Sequence, residues 1–312
     1  MTTFTEIATR DEKILRVVPV ERLEDLRHSV EEFKHDTGLN EFQQKITGMY
    51  TFDVPKLPFK AKSIIVAAVP HYSYAEAVFH LNGREYKVFS AFVKMYDTSE
   101  MTAYVDAVLP KLGYHSAEVP MMPGFPQKLL GAKCGLAVYG RNNITYIKGL
   151  GSYFGYATYY SDVLPDCEVW HDITPVALNC ETCGACITNC KTGAITRDRF
   201  LINTDKCYSG MSTVPGAFPP VPNSAHHSIV RCMKCQYGCP MNTDANLRTY
   251  PAVSFDEEET AHILSDAGYD NVSQSLQERA VIFGFDKFNS AIPRNLQICF
   301  DLIDSGETLM LC

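Results

Sequence analysis

The chain has 312 residues and a formal net charge of −8, because 36 acidic residues outnumber 28 lysines and arginines. This length allows one large core or two domains, so disulfides are not needed as the main source of stability. No block of lysine or arginine alternates with aromatic residues, which argues against an extended phosphate-binding surface. The N-terminal stretch lacks an apolar core and twin arginines, and the longest apolar run is far below the ~20 residues of a membrane span. We therefore expect a cytoplasmic protein without a membrane anchor, in a reducing, low-oxygen compartment.

The N-terminal third predicts a mixed α/β segment. Residues 21–37 place apolar side chains on one face of a helix, and Gly38 is its expected stop. Residues 62–70, KSIIVAAVP, form a short apolar run rich in β-branched side chains, which predicts a buried strand. An Asn-Gly pair at 82–83 separates two near-alternating runs and predicts a hairpin. Apolar residues then recur at helical spacing over 97–113.

The segment from Glu118 to Tyr160 is dense in glycine, proline and aromatic residues, and we predict that it is a loop that covers a bound cofactor or substrate. A flat cofactor or substrate requires apolar and aromatic walls with a few polar groups. Ordinary core packing is the alternative for any single tyrosine here. The glycines at 149, 151 and 155 miss the G-x-G-x-x-G spacing, and the chain has no Walker lysine motif, so a nucleotide site is not indicated.

Eight of the twelve cysteines fall in one stretch that begins with C-x2-C-x2-C-x3-C spacing. This is the bacterial ferredoxin run for 4Fe-4S clusters, in which the fourth cysteine ligates the other cluster of a pair. The rule predicts two clusters, one held by Cys180, Cys183, Cys186 and Cys239, and the other held by Cys190, Cys207, Cys232 and Cys235. Backbone N–H groups of such a loop turn toward the sulfur atoms.

Two structural zinc sites are the alternative, because C-x2-C pairs also fit zinc ribbons. Zinc requires neither a third cysteine at three-residue spacing nor the TGAI that follows, so clusters are favoured. Lys191 stands where ferredoxin runs usually have proline, although Pro240 follows Cys239. His226 and His227 lie in a proline-rich connection, where we expect them to be solvated. Three helical patterns follow over 256–304.

The order of these segments is similar to that of epoxyqueuosine reductase and its relatives, the reductive dehalogenases. The resemblance covers roughly residues 60–300, through SIIVAAVPHY, CGLAVYGRNN, GSYFGYATYYSDVLPD, the cluster motifs and RNLQICFDL. It implies an α/β (α+β) fold in three parts. These are a nitroreductase-like cobalamin-binding domain at 1–170, a ferredoxin-like two-cluster domain at 171–250, and a short helical cap at 251–312.

The resemblance implies that the clusters pass electrons from a low-potential donor of ferredoxin or flavodoxin type to a base-off cobalamin (corrinoid). Such a reductase would cleave a bond in a small-molecule substrate. The alternative is an electron-transfer or corrinoid-handling protein that serves a partner and has no substrate of its own. The tRNA-acting members are similar in carrying helical repeats after the clusters, whereas about seventy residues follow Cys239 here. We therefore predict that tRNA is an unlikely partner.

The resemblance also places site residues. The loops expected to bind the cofactor contribute Cys134, Gly135, Gly140, Asn142, Gly151 and Ser152. The family's aspartate acid is absent near Met121, and Glu118 is the nearest candidate acid. The resemblance to dehalogenases instead suggests that a tyrosine donates the proton and that a nearby lysine or arginine lowers its pKa. Tyr139, Arg141 and Tyr153 lie in the matching loops.

Four cysteines remain outside the cluster motifs: Cys134, Cys167, Cys299 and Cys312. We predict plain buried or terminal thiols, because free cysteine behaves as a small apolar side chain. Cys134 is the exception, since it precedes Gly135 in the loop that should face the cofactor.

Overall fold

The computed structural model describes residues 2–36, 39–95, 97–121, 124–167, 169–243 and 247–309. The helices in these ranges are α1 (Phe4–Arg10), α2 (Arg22–Asp36), α3 (Glu41–Gly48), α4 (Ser99–Val108), α5 (Gln127–Lys133), α6 (Ala185–Asn189), α7 (Tyr208–Met211), α8 (Lys234–Tyr237), α9 (Glu257–Leu264), α10 (Gln274–Phe283) and α11 (Ile292–Asp304). The strands are β1 (Ile14–Pro19), β2 (Ser63–Pro70), β3 (Tyr74–Leu81), β4 (Arg84–Ser90), β5 (Ser116–Glu118), β6 (Val138–Tyr139), β7 (Thr145–Tyr146), β8 (Phe154–Ser161) and β9 (Thr249–Phe255).

The chain forms two compact units. Unit 1 comprises Met1–Pro70 and Tyr96–Thr182, and unit 2 comprises His71–Met95 and Cys183–Cys312. The division differs from the three predicted segments, because the hairpin near residue 82 belongs with the C-terminal part of the chain. Contact between strands that are distant in sequence causes this difference, as described below for unit 2.

Unit 1 is built on a four-stranded antiparallel sheet with the order β1-β2-β8-β5. The predicted buried strand is confirmed as β2. Its side chains alternate between two apolar clusters, with Ile64 and Val66 on one face and Ile65 and Ala67 on the other. Helices α2 and α5 cover the first face, and α1 and α4 cover the second. Because both faces are buried, the strand reads as continuously apolar.

The predicted helices of unit 1 are confirmed as α2 and α4. Acidic residues in the first turn of α2 and basic residues in its last turn suit the helix dipole. Gly38, its predicted stop, lies outside the described residues. A short 3-10 helix follows α4 and ends at Gly113, whose φ of 81° suits glycine.

The prediction of a covering loop over 118–160 is wrong for much of that segment. It contains α5, the small β6-β7 hairpin, and most of β8, which is a central strand. Tyr160 packs into the apolar cluster of one sheet face and Tyr159 into the cluster of the other. The aromatic density therefore reflects a strand that is buried on both faces.

Unit 2 contains a three-stranded sheet with the order β4-β3-β9. The predicted hairpin is confirmed, and Asn82 and Gly83 both have positive φ, 51° and 71°. β9, which the sequence pattern did not predict, pairs with β3 in parallel. It contains Pro251 and lies at the sheet edge, where a missing N–H is tolerated.

The three helical patterns over 256–304 are confirmed as α9, α10 and α11. They cover the unit 2 sheet through a phenylalanine core in which Phe79 and Phe255 stack at 4.9 Å. Ile229 and Val230, just before the second cysteine burst, are buried in the same core. The Ile229 N–H also donates to Phe89 O on β4 at 2.8 Å. The core thereby fixes the chain that leads into the second burst.

Among the described residues, no helix combines the length and apolar character needed to cross a bilayer.

Candidate metal centre and the loops before it

Three of the cysteines assigned to one cluster lie near each other in unit 2. Burial raises the pKa of Cys207 and Cys232, the latter to about 12, and the nearby Cys190 thiol raises both further. The Cys207 thiol raises the pKa of Cys232 in the same way. Cluster assembly must therefore displace protons from these thiols, since iron binds thiolates. Cys235, the fourth predicted ligand, is the second residue of α8.

Backbone N–H groups point at these sulfur atoms, as the loop prediction requires. The Ala194 N–H donates to Cys190 Sγ at 3.3 Å. The N–H groups of Ser209 and Gly210 donate to Cys207, and that of Lys234 donates to Cys232. Such donors stabilise negative charge on cluster ligands and raise the reduction potential. The donor set of soft thiolates and aimed N–H groups fits an iron-sulfur cluster.

The two cysteine bursts pack against each other through glycine. A Cβ on Gly238 would come within 1.8 Å of Asn189 Nδ2, so only glycine allows this approach. Asn189 precedes Cys190, and Gly238 precedes Cys239, so the contact joins one ligand segment of each predicted cluster. The crossed assignment of ligands remains a prediction.

No group of three or more Cys, His, Asp or Glu side chains in the described ranges converges on a point that suits a single metal ion. A cubane places its four thiolates on four different irons, so its ligands are farther apart than those of one zinc ion.

A polar pair on α11, the half-buried Arg294 and the buried Asn295, holds the connection between Cys207 and Cys232, and the sequence pattern did not indicate it. Asn295 is 2% exposed, and its Nδ2 donates to Ser212 O and Ile229 O, both at 2.8 Å. Arg294 donates to Met211 O, Val214 O and Gly216 O in the same connection. The spacing of residues in the RNL segment of α11 carries no signal for this contact.

The same network reaches the residue before Cys232. Arg231 has φ 69°, a left-handed conformation that is costly for a residue other than glycine. Its N–H donates to Ser212 Oγ at 2.9 Å, and Ser212 is the residue whose carbonyl Asn295 binds. The α11 pair thus supports the strained backbone from which the second burst begins.

His227 corrects the prediction of solvated histidines. It is 1% exposed, and burial lowers its pKa to about 4. Its Nδ1 lies 2.7 Å from Ala225 O, an acceptor, so Nδ1 carries the proton of the neutral ring. The ring packs at 5.4 Å from that of Tyr208, beside Cys207 in sequence. His226 is half-buried.

The residues predicted to form a cofactor loop in unit 1 are mostly engaged within the protein. Cys134 is fully buried, its Sγ donates to Gly131 O at 3.5 Å, and burial raises its pKa to about 12. It packs in the apolar cluster of α2 and α5, and its role in facing a cofactor stays a prediction. Gly135, with φ 68°, ends α5, and a Cβ there would meet Val169 at 2.8 Å.

The next turn, from Gly140 to β7, is closed by its own side chains. Asn142 is buried, and its Nδ2 donates to the hydroxyl of Tyr146 at 2.8 Å. A Cβ on Gly140 would lie 2.7 Å from the Tyr146 ring, so glycine is required for this packing. Gly151 has φ 65° and forms a backbone bridge with Ile147. Ser152 and Tyr153, which follow it, are buried.

The surroundings of Tyr139 do not favour the predicted phenolate. Burial raises the pKa of Tyr139 well above its ordinary value, and the nearby Tyr156 and Tyr50 raise it further. The Arg141 guanidinium instead donates through Nε and Nη2 to the carbonyl of Cys180, at 3.2 and 2.8 Å. Desolvation opposes the phenolate, so this environment raises the phenol pKa instead of lowering it.

Glu118 lies apart from these loops. It is exposed on the edge strand β5, where it pairs with Tyr159, and its Oε1 accepts from Thr98 Oγ1 at 3.0 Å.

Arg141 and β6 connect this loop to the first cluster cysteine. The Tyr139 N–H donates to Pro175 O, and Tyr139 O accepts from the Ala177 N–H at 2.8 Å. The chain from Pro175 to Cys180 therefore runs beside β6 and is fixed by Arg141 at its end. The glycine and aromatic segment positions the entry to the cysteine motif.

The other predicted plain thiols are partly confirmed. Cys299 is fully buried in the unit 2 core, and burial raises its pKa to about 12. Cys167 is half-buried, and its Sγ donates to Cys134 O at 3.6 Å. Cys312 lies outside the described residues.

Comparison with known proteins supports the metal centre and the fold. A family model described as a 4Fe-4S double cluster binding domain matches residues 179–242. Epoxyqueuosine reductase from Shewanella oneidensis is 28% identical over 200 residues, which are 61% of this chain and 47% of that protein. The chain thus spans about half the length of this curated relative.

Two solved structures have a similar fold. Epoxyqueuosine reductase from Streptococcus thermophilus matches with a TM-score of 0.59 at 16% identity, over 97% of this chain and 85% of that one. An epoxyqueuosine reductase determined with an epoxyqueuosine-modified tRNA-Tyr stem loop matches with a TM-score of 0.57 at 17% identity, over 92% of this chain and 76% of that one.

The prediction that tRNA is an unlikely partner is wrong. It rested on the short segment after Cys239, yet the second of these structures shows a protein with this fold together with a tRNA stem loop. The chain carries a 4Fe-4S double cluster binding domain and has the mixed α/β fold of the epoxyqueuosine reductases, which it resembles in sequence.

Proposed function

We propose that this protein is an iron-sulfur oxidoreductase that reduces an epoxide-bearing nucleoside in tRNA. The observation that carries the proposal is the gathering of Cys190, Cys207 and Cys232 with aimed backbone donors, inside a stretch that matches a double cluster domain. Likeness to epoxyqueuosine reductases in sequence and fold supports the substrate class. It replaces the small molecule predicted from the sequence.

The stoichiometry of the reaction suits two clusters. Reduction of an epoxide takes up two electrons and two protons. When bound, 4Fe-4S clusters supply electrons one at a time. The chain's own residues hold the thiolates in place, neutralise part of their charge through N–H donors, and leave Cys207 and Cys232 half-buried. A low-potential ferredoxin or flavodoxin is the proposed electron donor.

Arg141 has a positioning role in this proposal. Its two-pronged contact with Cys180 O fixes the backbone of the first predicted cluster ligand. This replaces the dehalogenase-type role, in which Arg141 would have assisted Tyr139.

The resemblance would add a corrinoid, which in its reduced form supplies a strong nucleophile. The side chains predicted to hold it do not fit that task, because the thiol of Cys134 and the amide of Asn142 both donate to partners within the protein. We assign no step to a corrinoid. Cobalt analysis after anaerobic reconstitution with cobalamin tests the point, since one cobalt per chain would restore it to the proposal.

The proposal is tested with anaerobically purified protein, a chemical reductant and an epoxyqueuosine-containing RNA stem loop. We expect about eight irons per chain and a reductant-dependent mass change in the modified nucleoside. Cys232→Ser is the matched variant and should lose both iron and turnover. Full iron content with no mass change would favour the alternative of an electron carrier that has no substrate of its own.

A further inference from the structure

Unit 2 carries a surface on which cations and aromatic rings alternate. We define the cation-aromatic surface by Tyr72, Lys94, Arg248 and Tyr250, together with Arg231 and Lys287, which lie over the buried ring of Phe92. The Arg248 guanidinium lies 5.1 Å from the centre of the Tyr72 ring, and Lys94 Nζ lies 5.8 Å from that of Tyr250. The two tyrosine rings meet edge to face at 5.0 Å. Lys94 and Arg248 are exposed, and both tyrosines are half-buried.

The surface extends through two further cations. Arg231 and Lys287 each lie 5.8 Å from the centre of the Phe92 ring. Arg231 and Arg248 both act on His71, whose pKa burial lowers and these two charges lower further. Both guanidiniums are thus close enough to His71 to affect it, so the two halves of the surface meet near this residue. Asp286, beside Lys287 in sequence, is the neighbouring acid.

Hydrogen bonds fix the main chain at two residues of this surface, Arg248 and Lys94. Ser73 donates to Arg248 O through both its N–H, at 2.7 Å, and its Oγ, at 3.0 Å. The Lys94 N–H donates to Ile282 O at 2.9 Å, from a left-handed backbone with φ 46°. A fixed array of like charges repels itself in the free protein, and a bound anion relieves that repulsion.

We propose that the cation-aromatic surface binds the single-stranded loop of the RNA substrate, an inference that rests on the proposed function. Half-buried tyrosines offer faces on which unpaired bases stack, and Arg or Lys beside them contacts the phosphates. A duplex would offer phosphates but no free base faces. The four cations therefore give affinity, and Tyr72 and Tyr250 give the preference for an unpaired loop.

The test is fluorescence anisotropy of anaerobically purified holoprotein with a labelled, unmodified tRNA anticodon stem loop and with a blunt RNA duplex of equal length. We expect a stem-loop preference of about tenfold or more. Lys94→Glu and Arg248→Glu should each weaken stem-loop binding about tenfold or more and lower the dependence of log K on log salt by about 0.7 for each lost phosphate contact. Tyr250→Ala should remove most of the loop preference, and Tyr250→Phe should keep it.

Lys87→Glu is the matched control, because Lys87 is exposed on β4, at the opposite edge of the same sheet. Iron content equal to that of the unmodified protein shows that each variant is folded. One contrary result is that the unmodified protein binds the stem loop while Lys94→Glu and Arg248→Glu weaken that binding no more than Lys87→Glu does. This result would overturn the inference and leave the proposed function standing. Equal affinity for duplex and stem loop would also overturn it. No binding of the stem loop by the unmodified protein would remove the proposed substrate class together with the inference.

Discussion

Substitution of Asn295 by alanine should destabilise the second cysteine burst more than any surface change on the same helix. Asn295 Nδ2 is the donor to Ser212 O and Ile229 O, and both of these residues are fully buried. The variant leaves two buried carbonyls without this donor. Each such loss costs about 1–3 kcal/mol, so the free energy of unfolding should fall by about 2–6 kcal/mol.

The consequence reaches the metal centre because Ser212 also accepts from the Arg231 N–H, next to Cys232. We therefore expect Asn295→Ala to lose iron to a chelator faster than the unmodified protein, with about half of the iron affected. The assay combines urea unfolding of the holoprotein with the decay of its visible absorbance under chelator. Gln297→Ala is the control, because Gln297 is exposed on α11 and should change stability by about 0.5 kcal/mol or less. If Asn295→Ala and Gln297→Ala had equal unfolding free energies and equal rates of iron loss, Asn295 would not support the second cysteine burst.

Three further predictions concern residues in both units. Arg141→Lys loses the two-pronged contact with Cys180 O, so it should alter the electron paramagnetic resonance signal of one reduced cluster, whereas Lys148→Ala, at an exposed position, should not. His227 has a pKa near 4 when folded and about 6.5 when unfolded. Its contribution to stability is therefore complete above pH 6.5 and is lost as the pH falls toward 4, by about 3 kcal/mol in thermal or urea unfolding, and His227→Phe should flatten that slope. Cys134→Ala should leave iron content unchanged, and the folded protein should show no alkylation at Cys134 at pH 8 because burial holds that pKa near 12; rapid alkylation would contradict its burial.

The sequence predicted those elements whose signal is contained in a short local pattern. The cysteine spacing indicated the double cluster domain, the Asn-Gly pair indicated the hairpin, and the run at β2 indicated a buried strand. Each of these signals is contained in a few consecutive residues.

Features formed by distant residues were not predictable in this way. β3 and β9 pair across most of the chain length, so the hairpin joins unit 2 rather than the N-terminal domain. Aromatic composition also could not distinguish a wall around a ligand from packing, and Tyr139 and Tyr153 proved to be buried. The absence of a basic block concealed a surface whose cations come from four separate segments.

The most direct test of the account is a single-turnover experiment under anaerobic conditions. Chemically reduced protein, freed of excess reductant, is mixed with an epoxyqueuosine-containing stem loop while the visible absorbance of its clusters is followed. If the clusters pass electrons to the modified nucleoside, they should become reoxidised while reduced nucleoside appears in the mass spectrum. An unmodified stem loop should cause no reoxidation. Clusters that stay reduced in the presence of the modified stem loop would contradict this electron transfer.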